Sequence, residues 1–238
     1  MRMLFLFDID GTLLAGMPPA HRMALCDAAQ IVYGVSLEPI HLGKTAGLTD
    51  SVIARRMLAA AGVGPDALAA GLPAFYEAAA VAYERHVPDD LRPYRTPHAA
   101  DSLDWLRAHG VRLGLVTGNI QRLAWRKLAA AGLDEYFSIG AFGDEAESRD
   151  DLPPLALTRA EQRFGVRFVS EAVYVIGDTP ADIACGAASR FRTVAVATGP
   201  EHSLDDLRAC QPDYAFPDLT HLYEIPLAAS STGSDDAV

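Results

Sequence analysis

Near its start the chain carries an unbroken apolar run, Met3-Leu4-Phe5-Leu6-Phe7, ended by Asp8 and followed by Ile9, Asp10, Gly11, Thr12 and Leu13. A short run that is apolar at every position reads as a strand buried on both faces, the usual state of a strand in a parallel sheet. Such sheets gather functional groups at the carboxyl ends of their strands, where Asp8 and Asp10 stand. On extended backbone, residues i and i+2 point the same way, so the two carboxylates can share one ligand. One can attack while the other handles protons, provided a cation offsets their repulsion. Alone, the same residues also read as an Asp-Gly β-turn after an edge strand. The later strands decide between these readings.

Residues 15–19 are small or proline and read as a hinge. Helical patterns follow over residues 21–32, from a cap at Thr49 or Asp50 to about 61, and over about 66–86, with Gly71 and Pro73 expected to bend or break the last. Residues 16–92 therefore read as an all-helical insertion. After a proline-rich return come a helix over about 98–109 and a strand over 111–116 ending at Thr117-Gly118-Asn119. Next come a helix over 121–131, a short strand over 137–142 and an acidic loop over 143–152 holding Arg149. A helix opening at Pro153-Pro154 runs to about 164. The strand over 172–176 ends at Gly177-Asp178-Thr179-Pro180 and leads into a helix to about 188. A strand over 192–197, a helix over 204–209, a short strand over 214–216 and a helix over 219–223 complete the pattern. Strands alternating with helices indicate an α/β fold, a doubly wound parallel sheet covered on both faces, here carrying an inserted helical cap. The expected division is a core of residues 1–15 and 93–226, a cap of 16–92, and a small, polar, disordered tail of 227–238.

The 238 residues suffice for a sizeable core, and the net charge of −11 argues against nucleic-acid or anionic-membrane partners. It leaves phosphorylated substrates open, because a metal ion can reverse the local field. Three scattered cysteines, Cys26, Cys185 and Cys210, argue against a zinc site or disulfide framework. The N-terminal apolar run is too short for a signal peptide or a membrane span. A soluble, cytoplasmic monomer or homodimer is the expectation. Lysine occurs only twice, at Lys44 and Lys127.

Three strand ends carry polar groups: Asp8/Asp10, Thr117/Asn119 and Asp178. Right-handed crossovers bring them to one sheet edge. Singly, Thr117, Asn119 and Asp178 read as helix caps and Asp182 as a solvated helix carboxylate; jointly they read as a catalytic constellation. Asp182 lies one helical turn after Asp178, so both can face one ion. Asp-Ile-Asp-Gly-Thr-Leu at 8–13, Val-Thr-Gly-Asn at 116–119 and Gly-Asp-Thr-Pro-Ala-Asp at 177–182 resemble motifs I, II and IV of the haloacid dehalogenase superfamily, over about residues 3–225.

The resemblance implies a magnesium-dependent phosphoaspartyl mechanism acting on a small phosphorylated metabolite. It implies Asp8 as nucleophile and Asp10 as the acid that protonates the leaving oxygen and then activates water. Thr117 is implied as a donor to the phosphoryl group, helped by the amides of Gly118 and Asn119. Magnesium is implied on Asp8, the Asp10 carbonyl and Asp178, with Asp182 behind them. The chain departs from the family where a lysine usually precedes Pro-x-Pro, since none follows Lys127. Arg149, in an Arg-x-x-Leu form, is the best substitute and keeps the charge with a different geometry; it also reads as an ordinary loop arginine. Dehalogenase members lack the second aspartate, so Asp10 favours phosphate chemistry. Thr12 follows the phosphatase-like pattern rather than the Val common in sugar-phosphate mutases.

The insertion resembles the helical caps of phosphoglycolate-phosphatase-like and phosphoglucomutase-like members, which close over the site and select substrate. Lys44, with Thr45 and Thr49, either reaches the substrate from a cap loop or is a solvated surface lysine. The leading expectation is a phosphate monoesterase. The alternatives are a phosphomutase, a non-catalytic binding protein on the same fold, and a receiver domain, against which stand the cap, Asp10 and the lack of a late lysine.

Overall fold

The computed structural model describes residues 2–227; the proposed tail from 228 onward lies outside them. The described residues form a six-stranded sheet in the order β3-β2-β1-β4-β5-β6, every neighbouring pair parallel. Strand β1 (Leu4–Phe7) lies between β2 (Arg112–Val116) and β4 (Val173–Gly177), all four of its side chains fully buried. This central place is why the run is apolar throughout: both faces are covered, and each such side chain contributes about 1.5–3 kcal/mol on burial. The outer strands are β3 (Gly140–Ala141) on one side and β5 (Arg192–Val196) and β6 (Tyr214–Phe216) on the other.

One large core packs beneath β1, β2 and β4 against the helices over residues 99–108 and 121–131, and continues into the helical insertion. A second core holds Leu4, Leu6 and Val116 against Leu152, Ala156 and Ala160 of α6 (Leu152–Phe164) on the opposite face. Helices α4 (Ala99–Ala108), α5 (Gln121–Ala131), α7 (Pro180–Ala188) and α8 (Leu204–Ala209) complete the layers.

Between β1 and α4 the chain forms α1 (Ala20–Tyr33), a 3-10 turn (Pro39–Leu42), α2 (Asp50–Ala60) and α3 (Pro65–His86). Departure and return are tied together. Ala15 N–H donates to Tyr94 O at 2.8 Å, and Thr96 N–H to Leu13 O at 2.9 Å. An element inserted through two adjacent crossings can shift as a unit relative to the sheet.

Three expectations change. Helix α3 runs unbroken through Gly71 and Pro73. Pro73 and Ala69, whose carbonyl loses its partner to the proline ring, are both exposed, so water satisfies that carbonyl. Gly71 is there for close packing: a Cβ would meet the Tyr33 ring, whose hydroxyl donates to Leu68 O at 2.9 Å. The strand expected over 137–142 shrinks to Gly140–Ala141, because it lies at the sheet edge with one neighbour. The closing helix is a 3-10 segment, Leu219–Glu224.

Candidate active site

The polar strand ends converge. After β1 the chain turns sharply: the amides of Leu13 and Leu14 both donate to Ile9 O at 2.9 Å. This turn leaves Asp8 in the sheet, where its amide donates to Ile176 O at 2.9 Å, and places Asp10 on the rim. Gly11, at φ 86°, sits in the left-handed region. A side chain there would collide with the Asp178 carboxylate, as would one at Gly199, so both glycines are needed for backbone to pass this close. Thr12 Oγ1 donates to Asp178 Oδ1 at 3.0 Å and orients it from the side.

Asp8, Asp178 and Asp182 each offer a carboxylate oxygen, and these lie within 4.8 Å of one another, all buried. Asp182 is held hard. It accepts from Thr179 N–H at 3.1 Å and from Thr179 Oγ1 at 2.6 Å, and pairs with Arg149. Thr179, not Asp178, is the cap of α7, and Asp182 completes a capping box with it. The solvated reading of Asp182 and the capping reading of Asp178 both give way: they are 1% and 5% exposed. Thr117 and Asn119 do not cap α5 either, since its cap position is Ile120 without a side-chain bond. Thr117 is fully buried, and Asn119 Nδ2 donates to its hydroxyl at 2.7 Å.

Arg149 reaches this cluster from the loop before α6. Its Nη2 pairs with Asp182 and lies 3.4 Å from Asp8 Oδ2, while Nη1 donates to Gly47 O of the insertion at 3.3 Å. Burial would favour its neutral form, but Asp182 and Asp8 outweigh that and keep it charged. Two further insertion contacts close over the strand ends. Asp50 N–H donates to Gly118 O at 2.7 Å, and Ile120 N–H to Asp50 Oδ2 at 2.7 Å. Gly118 is small for a reason: a Cβ would strike the carbonyl of Leu48.

Excess negative charge shows in the carboxyl groups. Burial pushes Asp8 up to about 7, which Arg149 opposes and Asp182 and Asp10 reinforce. Burial, then Asp182 and Asp8, pushes Asp178 up to about 8. Asp10 goes the other way: burial would raise it, but Lys127 and His21 hold it below the usual carboxylate range. A hard divalent cation suits such a set of oxygens, and it would relieve the repulsion that Arg149 leaves uncompensated.

A pocket of about 330 Å³ opens onto Asp8, Asp10, Asp178, Asn119 and Arg149 from the core and onto His21, Arg22, Thr45, Asp50 and Tyr83 from the insertion. Lys44 is exposed and does not line it. Arg22 does, but it spends its donors on Pro39 O, Gly43 O and Thr45 Oγ1, so it braces the loop. Sequence reasoning passed over Lys127, which is 1% exposed and bonds Asp10 at 2.6 Å. A signal existed. Lys127 falls on the buried stripe of α5 with Leu123, Ala124, Leu128 and Ala131, where a charge needs a partner. His21 and Asp50, 2.9 Å apart, were passed over too.

Fold and site together define an α/β protein with a carboxylate cluster near the strand ends and a helical insertion above it. A protein-family model described as haloacid dehalogenase-like hydrolase matches residues 3–190, and the chain belongs to that family. Phosphoglycolate phosphatase 1 of Pseudomonas aeruginosa is 27% identical over 206 residues, which are 84% of this chain and 71% of that enzyme. Phosphoglycolate phosphatase of Nitrosococcus oceani is 29% identical over 131 residues, 55% of this chain and only 56% of that enzyme's length. The Escherichia coli K12 enzyme of that name is matched over 48% of its length. Among solved structures, a predicted phosphoglycolate phosphatase from Haemophilus somnus superposes with TM-score 0.68 at 19% identity, covering 94% of this chain and 97% of that one. A β-phosphoglucomutase from Clostridium difficile does so with TM-score 0.64 at 16% identity, over 87% and 88%. At such identities the superpositions establish the shared fold. No helix among the described residues is long and apolar enough to cross a membrane.

Proposed function

We propose that the protein is a magnesium-dependent phosphatase that hydrolyses a small phosphate monoester through a phosphoaspartate on Asp8. The observation that carries this reading is Asp8 itself: a buried carboxylate at a strand end, beside Arg149 and within the Asp178/Asp182 cluster, on a pocket it shares with Asp10. The names of the curated relatives agree with phosphate ester chemistry.

Asp10, which Lys127 and His21 hold ionised in the free protein, takes up a proton on substrate binding; Asp8 then attacks phosphorus, and the bond to the leaving oxygen breaks as Asp10 passes it that proton. Asp10, now a carboxylate, takes a proton from water as the water oxygen attacks the acyl phosphate. Phosphate departs and both carboxyl groups return to their starting states. Thr117, with the amides of Gly118 and Asn119, serves the phosphoryl oxygens, and the Arg149 guanidinium steadies Asp8 and the phosphate. Asp8, the Asp10 carbonyl and Asp178 would hold magnesium, with Asp182 behind them. When bound, the ion supplies positive charge that lets an anionic carboxylate approach an anionic phosphate. Residues 16–92 act as a cap over a core of 1–15 and 93–226, and exclude water from the closed pocket.

The test is phosphate release from para-nitrophenyl phosphate and from a panel of alkyl phosphates, with magnesium and with EDTA. Release that needs magnesium and is lost in Asp8→Asn is expected. Turnover retained in Asp8→Asn would remove the nucleophile from this scheme.

A further inference from the structure

Lys127 stands out because its three N–H bonds are all spoken for. Nζ lies 2.6 Å from Asp10 Oδ2, 2.5 Å from Asn119 Oδ1 and 3.2 Å from His21 Nδ1. An ammonium has three donors and no acceptor, so Lys127 keeps none for a substrate. His21 can accept there because its Nε2–H is used on Asp50 Oδ2 at 2.9 Å. The ammonium is buried beneath the pocket, also 6.0 Å from the Tyr83 ring centre. Asp10 keeps 37% of its side chain open on the pocket, with Oδ2 anchored and Oδ1 enclosed.

We propose that Lys127 is a positioning residue that pins Asp10 by Oδ2 and so holds its carboxyl group in the orientation from which it passes the proton to the leaving group. The assignment rests on the phosphatase reading above. In that step the O–H bond of the Asp10 carboxyl group breaks, the proton goes to the leaving oxygen as its bond to phosphorus breaks, and Asp8 forms the new bond to phosphorus. A carboxyl group free to rotate about its last bond presents its acidic oxygen only part of the time. Pinning removes that loss, as orientation does elsewhere in catalysis.

The consequence is a dependence on the leaving group. A nitrophenolate departs without help, whereas an alkoxide needs the proton. Steady-state kcat/KM reports events through departure, so the later water step does not enter. Lys127→Met is expected to lower kcat/KM about 100-fold on an alkyl phosphate and by no more than about 3-fold on para-nitrophenyl phosphate. Asp10→Asn should show the same signature, and Lys127→Arg should recover part of the loss. Because both substrates are compared in one preparation, their ratio is independent of how much of a variant is folded. Equal losses on the two substrates, or no loss on the alkyl phosphate, would overturn the role of Lys127 while leaving the phosphatase reading intact. A wild-type protein that turns over neither substrate would overturn both.

Discussion

The guanidinium of Arg149 lies 3.4 Å from Asp8 and pairs with Asp182, so one buried cation serves two carboxylates, one just after β1 and one in the first turn of α7. In the function proposed above the loop arginine takes the place of the missing lysine; it also holds Gly47 of the insertion.

Arg149→Ala should therefore damage both stability and turnover. Stranding Asp182 and Asp8 without their partner costs about 3–5 kcal/mol, read as a fall in thermal midpoint without metal. Turnover should fall by about 100-fold or more, as for the loss of one charge-stabilising donor. Arg149→Lys should restore part of each. Unchanged kinetics in Arg149→Ala would return it to an ordinary loop arginine.

The raised carboxyl groups make the metal-free protein sensitive to pH in a definite sense. Asp8 and Asp178 move up from 3.8 to about 7 and about 8, so between these values the folded state binds more protons than the unfolded one. Their contribution is present in full below 3.8 and is lost as pH rises through 7 to 8. In EDTA the melting temperature should fall between pH 5 and 8. Added magnesium should raise it more at pH 8, where the carboxyl groups are more fully ionised and release fewer protons on binding. A magnesium effect larger at pH 5 would contradict this.

Asp50 fastens the insertion to the second strand end: its carboxylate accepts from Ile120 N–H, its own amide donates to Gly118 O, and His21 of the insertion braces the same carboxylate. Asp50→Ala leaves a buried amide without an acceptor, a cost of about 1–3 kcal/mol. Easier proteolysis of the insertion and a higher KM are expected, with the sheet intact. An unaltered KM would detach Asp50 from cap closure.

Pro73 is a stability reserve. Pro73→Ala returns an N–H to the exposed carbonyl of Ala69 within α3. A gain of about 1–3 kcal/mol is expected, because proline in a helix interior costs about 3 and its loss frees the unfolded chain somewhat. Denaturant melts would show it, and turnover should not change, since Pro73 does not line the pocket. A variant no more stable than the wild type would mean that the proline is accommodated at no cost.

The strands and their polar ends were legible early because their signals are local. The run ending at Phe7 and the one ending at Gly177 are apolar at every position because both faces are covered, and β4 joins β1 in register from Leu4 with Val173 to Phe7 with Ile176. Elements whose form depends on neighbours were less legible. The edge strand β3 keeps two residues, and α3 ignores Pro73 because the exposed side of a helix tolerates a missing bond.

The sequence by itself determined the alternation of strand and helix, the helical insertion and the carboxylates at the strand ends, since hydrophobic period and turn chemistry act over a few residues. Only the tertiary structure decided which charges meet. Lys127 finds Asp10 across 117 positions, and Arg149 finds Asp182 across 33. Such pairings follow from how helices and loops pack against the sheet, and a buried ion remains charged only where that packing delivers its partner.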